Sequence, residues 1–398
     1  MTRARYPFAV FGAALLTLAC VTSTQVATAD QPIPEWQKYE PRAYDSSGRQ
    51  PAGHPLRVAT PADSNLAAHD GDLVASWWLL KDPHDPRQSL ILLEVEAGWQ
   101  QPRRIGQSGD VTWLLLDEKN ADTAQFPFGN GILDPSHGLP AGATRETVRI
   151  DGEPGLRGDN FAIDHSPESD GWRVRARGAS AAAEFSVDDV VPGSYGPYYG
   201  PGGALEATNI APVANSRVTG TARLGDRVYD LDGWRAQYWR MNFPAVADTQ
   251  LHPGTAWGGW EWVHTFEPDG GYSEFQGIID AAGVFRGYMV DGRPGDIRIC
   301  DRVDVRFDDY RWGRAMYGDP TAPFQRYTIP GEITLTCAPG QGPEMTKTFH
   351  PDSTDYFDAA HFAYTEMPVH TVPGSMGSYE HIRFDTYRAE KYREGAGR

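Results

Sequence analysis

Short runs of β-branched, aromatic and aliphatic residues recur between turn clusters along most of this chain, while helical periodicity is scarce. The runs in the first half are Leu73–Leu80, Ser89–Glu96, Val111–Asp117, Thr147–Ile150, Trp172–Ala176 and Ala182–Val187. Later come Arg217–Ala222, Trp257–Phe266, Tyr272–Ile279, Val284–Val290, Ile297–Phe307 and Glu332–Cys337. Turns such as Glu267-Pro268-Asp269-Gly270-Gly271 and Val290-Asp291-Gly292-Arg293-Pro294 separate them. Strands of this length at near-regular spacing predict an all-β antiparallel meander closed into barrels or sandwiches. Helices are expected only as short pieces, at Thr354–Ala363 and Tyr387–Glu394.

At 398 residues the chain has material for two modest domains. Pro32, Pro34, Pro41, Pro51 and Pro55 make residues 30–60 an extended lead-in. The Pro- and Gly-dense stretch from Pro192 to Gly203 is expected to be neither regular helix nor strand, because Pro removes donors and Gly costs backbone entropy. It sets an expected division near residue 205, into a β domain at 61–204 and a second at 205–398.

The N-terminus places Arg3 and Arg5 before an apolar stretch from Phe8 to Ala19, followed by Ala27-Thr28-Ala29. That order reads as a secretory signal over residues 1–29, with an apolar run too short for a span of about 20 residues. The expected destination is the periplasm or the outside of the cell. Cys20 after Leu18-Ala19 resembles a lipid-anchor cleavage box, but Thr17 stands where Leu is usual, so cleavage after Ala29 is the expectation. Cys300 and Cys337 then remain, and an even pair in an oxidising compartment reads as one disulfide, with two buried thiols as the alternative. No other apolar run is long enough to span a bilayer. The formal charge of −17 repels phosphate backbones and anionic bilayers. A neutral or apolar small molecule is the expected partner, with no nucleic acid.

Five of the 12 tryptophans fall between Trp234 and Trp262. In Trp260-Glu261-Trp262-Val263-His264-Thr265-Phe266, strand alternation puts Trp260, Trp262, His264 and Phe266 on one face and Glu261 on the other. If the aromatic face lines the interior, His264 is a titratable group among π-faces able to stabilise a developing cation. If the other face does, Glu261 is a buried carboxyl fit to deliver a proton. The plainer account is an aromatic barrel wall with its polar group in water. Upstream, Asp232 and Arg235 could hold a catalytic geometry or only bridge a turn, and Tyr238 and Trp239 follow. Trp77 and Trp78 are adjacent on a strand, so one of them points inward. Asp164-His165 is most plainly a loop pair.

Other chemistries fail at the motif level. The chain has no Gly-x-Ser-x-Gly elbow, no phosphate-binding Gly-x-x-x-x-Gly-Lys-Ser/Thr loop, no Gly-x-Gly-x-x-Gly fingerprint and no His-Glu-x-x-His. No cofactor is expected. Asp355, Asp358 and His361 have a spacing that would share a helical face, but a solvated acidic face is the simpler reading and no metal is expected.

The order of features resembles a two-domain lipocalin-like family that includes carotenoid hydratases of the hydroxyneurosporene type, kievitone-hydratase-like proteins and fungal Diels-Alderases. The residues that carry it are Ser76-Trp77-Trp78, the crossing from Pro192 to Asn209, and Asn215-Ser216-Arg217-Val218-Thr219-Gly220-Thr221. Asp232-Gly233 follows, and then Gly259-Trp260-Glu261-Trp262 leads into a Pro-Asp-Gly-Gly turn. The likeness covers roughly residues 60 to 310, in order rather than in any one motif. It implies two successive lipocalin-like (calycin) barrels with a ligand near their junction. One departure stands out: the family follows its Asp-Gly segment with a carboxylate, and this chain has Gln237-Tyr238-Trp239-Arg240-Met241.

The resulting expectation is an exported enzyme that hydrates, dehydrates or isomerises an apolar unsaturated small molecule, isoprenoid or polyketide, in an aromatic-lined pocket. Glu261, His264, Asp232 and Tyr238 would be catalytic. Trp77, Trp78, Trp234, Trp239, Trp260, Trp262 and Tyr288 would bind the substrate. A cyclase that folds a polyene needs shape rather than a strong acid, and the missing carboxylate favours it. A carrier of hydrophobic ligands and a carbohydrate-active β protein that stacks sugars on Trp and Tyr are the rivals.

Overall fold

The computed structural model describes residues 56–65, 73–96, 108–117, 119, 144–151, 154–199, 205–243, 257–280, 285–312, 314–317, 328–337, 344–352, 355–358 and 364–382. The signal segment with Cys20, the lead-in before residue 56, His361 and the helix expected at Tyr387–Glu394 lie outside the described residues.

A first antiparallel sheet is built from β1 (Arg57–Val58), β2 (Leu73–Lys81), β3 (Ser89–Glu96), β4 (Ser108–Asp117), β5 (Thr144–Arg149), β6 (Gly155–Arg157), β7 (Phe161–Ser166), β8 (Gly171–Arg177), β9 (Ala181–Val191), β10 (Ser194–Tyr199), β11 (Leu205–Leu224), β12 (Arg227–Asp230) and β13 (Arg235–Phe243). From β2 to β9 each strand pairs with the next in sequence; β13 flanks β2, β11 flanks β13, and β9 pairs back onto β11. That last ladder closes β2 to β9, β11 and β13 into a barrel, with β1, β10 and β12 at its margin.

The wet wall of this barrel alternates as the sequence predicts. In β8, Trp172, Val174 and Ala176 point inward while Arg173, Arg175 and Arg177 point out. The interior is filled with Trp78, Trp113, Phe161, Trp172, Phe185 and Tyr238. Trp78 lies flat on Tyr238 at 4.5 Å, with Trp172 and Phe185 edge-on to the stack. A buried ionic cluster occupies the same inward face further along, where Arg240 bonds Ser76 at 2.7 Å and pairs with Glu96, and Ser76 donates to Glu94 at 2.6 Å.

The second sheet contains β14 (Trp257–Phe266), β15 (Tyr272–Asp280), β16 (Phe285–Arg293), β17 (Asp296–Cys300), β18 (Val303–Asp308), β20 (Arg314–Tyr317), β22 (Glu332–Cys337), β23 (Thr346–Pro351), β24 (Asp355–Asp358), β25 (Tyr364–His370) and β26 (Met376–Ile382). A separate short pair joins β19 (Arg311–Trp312) to β21 (Thr328–Ile329). The strand order runs β17, β16, β15, β14, β26, β25, β23, β22, β18. The two ends, β17 and β18, are consecutive in the chain, and the Cys300–Cys337 disulfide ties β17 to β22, the strand that pairs with β18. Inside lies a core that includes Val263, Phe275, Met289, Phe307, Ile333, Phe349, Met367 and Tyr379.

Some expectations need correction. The Pro-rich crossing holds a strand after all: β10 pairs with β11 and with the two-residue β1, at the margin of the sheet where the missing donor of Pro197 is tolerated. The sheets therefore change over between Phe243 and Trp257, and the stretch around residue 205 lies within the first. Asp355–Asp358 is a strand parallel to β20, where a helix was expected; pairing with neighbours overrides a weak local pattern.

Candidate functional site

Where the sheets meet, strands are buried on both faces. Every residue of β3 is buried, as are Val74 to Lys81 in β2 and Arg235's successors Ala236 to Met241 in β13. Trp78 and Tyr238 take the barrel side, which leaves Trp77, Leu79, Gln237 and Trp239 for the outer side. On the second sheet the same alternation sends Val263 to its core and Trp262, His264 and Phe266 to the seam. Glu274 and Gln276 of β15 flank them in register, opposite His264 and Trp262, and Glu380 of β26 pairs with Trp262.

Three indoles dominate the seam. Trp77 and Trp239 are 4.4 Å apart between ring centres, and Trp239 is 6.2 Å from Trp262. With Leu79, Ile91, Gln237 and Glu380 they enclose a cavity of about 10 Å³, near the space of a single water. The expected ligand-sized chamber is absent between these side chains, because indoles from both sheets fill the space their spacing opens.

Beside the cavity runs a buried polar network centred on Glu274. Its Oε2 accepts from Gln237 Nε2 at 3.3 Å and lies 3.5 Å from His264 Nδ1. Its Oε1 accepts from Gln276 and, at 3.4 Å, from Ser194 Oγ. Asn209 donates to Gln276 and, at 2.9 Å, to the Tyr288 hydroxyl, which also receives Ser194 at 3.2 Å. Burial first, and the nearby Glu274 charge second, push the Tyr288 phenol far above its ordinary range. The Tyr272 phenol is raised by the same two causes, and its hydroxyl donates to the Pro192 carbonyl at 3.0 Å.

His264 is fully buried, and neither ring nitrogen makes a hydrogen bond among the described residues. Its ring stacks with Tyr272 and Trp262 at 5.7 and 6.1 Å and meets the edge of Phe266 at 4.8 Å. At 3.5 Å the contact with Glu274 is not a formed hydrogen bond.

The structure gathers Trp77, Trp239, Trp262, His264 and Tyr288 at the seam and disperses the other candidates. Glu261 faces the second core, where the Tyr379 hydroxyl donates to it at 2.7 Å. Tyr238, Trp78 and Trp234 belong to the first barrel's interior. Asp232 is an exposed turn residue whose carboxylate accepts from Gly220 N at 3.0 Å. Trp260 lies on β14, but its side chain is outside the described residues. Asp164 binds Arg157, and His165 contacts Asp170 at 3.1 Å. No group of three or more His, Cys, Asp or Glu among the described residues is arranged to hold a metal ion, and no helix among them is long and apolar enough to cross a membrane.

Glu274, Gln276, Asn209, Ser194 and Glu380 were missed by sequence reasoning. The one available signal was in β15, where Glu274 and Gln276 flank Phe275 as if facing water. The departure at Gln237 also finds its physical counterpart here. That segment lacks a carboxylate, and the second sheet brings Glu274 and Glu380 to Gln237 instead.

No protein-family model matches the chain, and no curated protein matches it. Solved structures similar to it include a protein named as an AttH from Nitrosomonas europaea, at 12% identity and TM-score 0.46, over 79% of this chain and 92% of that one. Kievitone hydratase from Nectria haematococca is similar at 9% identity and TM-score 0.44, over 87% and 98% of the two chains. CghA, solved with Sch210972, is similar at 9% identity and TM-score 0.48, over 82% and 98%.

Proposed function

We propose that the chain is an exported enzyme that takes an apolar unsaturated small molecule into the seam and moves a proton on it, as a hydratase, dehydratase or isomerase. One observation carries the reading: three indoles and the Glu380 carboxyl surround a single space, with the buried His264–Glu274 pair reached through Gln237. Protonating an alkene makes a carbocation, and indole faces stabilise a cation where bulk water is excluded. Glu380 gives its proton to one alkene carbon, and the positive charge develops on the other, against Trp239 and Trp262. Water adds to the cation and its surplus proton returns to the Glu380 carboxylate, so the acid is regenerated. Glu274, with His264 beside it, is a positioning residue that orients the Gln237 amide.

Because the space is closed to about one water, ligand entry requires the indoles to part. The Cys300–Cys337 disulfide supports an oxidising destination. The test is turnover of isoprenoid alkenes and the matching alcohols by the purified chain, followed by mass spectrometry. Glu380→Gln is expected to lose about 10²-fold or more in kcat while a polyene such as retinol still quenches tryptophan fluorescence. Unchanged turnover in that variant overturns the assignment of the acid. Retinol binding with no turnover of any alkene or alcohol overturns the enzyme and leaves a carrier.

A further inference from the structure

The outer wall of the first barrel carries a half-open cleft of about 450 Å³ over β7, β8, β9 and β11. Register builds it: Asp164 lies beside Arg173, Arg173 beside Ser186 and Ser186 beside Thr219, while the next row sets Arg175 beside Glu184. Small residues, Ala162, Ser186 and Thr219, leave the hollow, and longer side chains wall it.

Both acids in the lining are already engaged. Asp164 accepts from Arg157, and Glu184 from Arg177 at 2.8 Å. The two guanidinium groups of the lining have no carboxylate partner among the described residues. Arg173 makes no hydrogen bond or ion pair among the described residues, and it is exposed. Arg175 gives one bond, from Nη2 to the Gly158 carbonyl at 3.3 Å, and its Nε is buried without an acceptor. Two guanidinium groups without a carboxylate partner among the described residues therefore stand two residues apart on one strand face, in a chain whose formal charge is −17. A local positive spot of this kind concentrates anions, and planar guanidinium forks favour oxyanions.

We propose that this cleft binds a small organic oxyanion, a sugar acid or a molecule of similar size. Its volume falls in the range of about 300–1,000 Å³ typical of small-molecule sites, so a bare inorganic ion would leave most of it empty. Arg173 and Arg175 take the anionic group, and the Ser186 and Thr219 hydroxyls meet ligand hydroxyls. This site is independent of the seam and of the chemistry proposed there.

Isothermal titration calorimetry at low ionic strength tests it, with glucuronate as the probe, glucose as its neutral counterpart and sulfate as the bare anion. Glucuronate is expected to bind saturably, and glucose and sulfate each about ten-fold more weakly or not at all. Arg173→Gln and Arg175→Gln should each weaken glucuronate by about ten-fold, with thermal melts confirming that the variants fold. Arg149→Gln, at an exposed position of β5 and paired with Asp151, should leave binding unchanged. No saturable glucuronate binding, equal binding of glucose or sulfate, or binding that survives both cleft substitutions overturns the proposal.

Discussion

His264 Nδ1 stands 3.5 Å from Glu274 Oε2 in a seam that neither side chain leaves for solvent. Glu274 is the acceptor on which Gln237, Gln276 and Ser194 converge from three strands. Deleting it would strand buried donors on both sheets at once. Glu274→Ala is therefore expected to cost about 3–5 kcal/mol, read from urea unfolding. A cost near zero would mean that water replaces the carboxylate and that the seam is not dry.

The first barrel leans on its stacked rings. Trp78→Ala should cost about 3–5 kcal/mol, because the cavity it leaves is walled by Trp172, Phe185 and Tyr238 and cannot collapse. Tyr238→Phe keeps the stack and should cost far less. Equal losses in the two variants would place the weight on the Tyr238 hydroxyl rather than on ring packing.

The disulfide closes a loop with a sequence separation of 37 and joins β17 to β22, where among the described residues no ladder links β17 to β18. Replacing both Cys300 and Cys337 by Ser should lower stability by about 2–4 kcal/mol. Intact-mass measurement of the untreated protein, before and after reduction and alkylation, checks that the bond is present. Free thiols in the untreated protein would contradict it.

Acid should loosen the strap formed by β1. Burial works to raise the Asp63 carboxyl, but the Arg57 guanidinium and two hydrogen bonds from Thr60 outweigh it and hold the group below its ordinary 3.8. A depressed folded-state value means that the stabilisation is present above 3.8 and is lost as the pH falls through the lower folded value. The pair is partly exposed, so Asp63→Asn should cost only about 0.2–1 kcal/mol at neutral pH. Below the folded value the variant and the parent should melt alike. A difference that persists there would assign the effect to packing.

What the sequence revealed depended on which faces of a strand meet water. In β8 one face is wet, and Trp172, Arg173, Val174, Arg175 read out its register directly. In β3, and in β14 beyond Trp260, both faces are covered, so alternation marks a strand without telling which side is which. Trp77 and Trp78 illustrate this: one points into the barrel and the other into the seam, and both are buried. Glu261 and His264 do the same on β14, so the choice between their faces had no single answer. Glu274 and Glu380 were hidden for another reason. Their partners come from strands far away in the chain, and only the register across the sheets brings them to Gln237 and Trp262.

The most direct measurement is a crystal structure of the chain with an apolar polyene such as retinol. The account predicts the polyene between Trp77, Trp239 and Trp262, with these indoles moved apart and Glu380 at the chain of double bonds. A polyene lodged inside either barrel, with the three indoles still closed on each other, would contradict it.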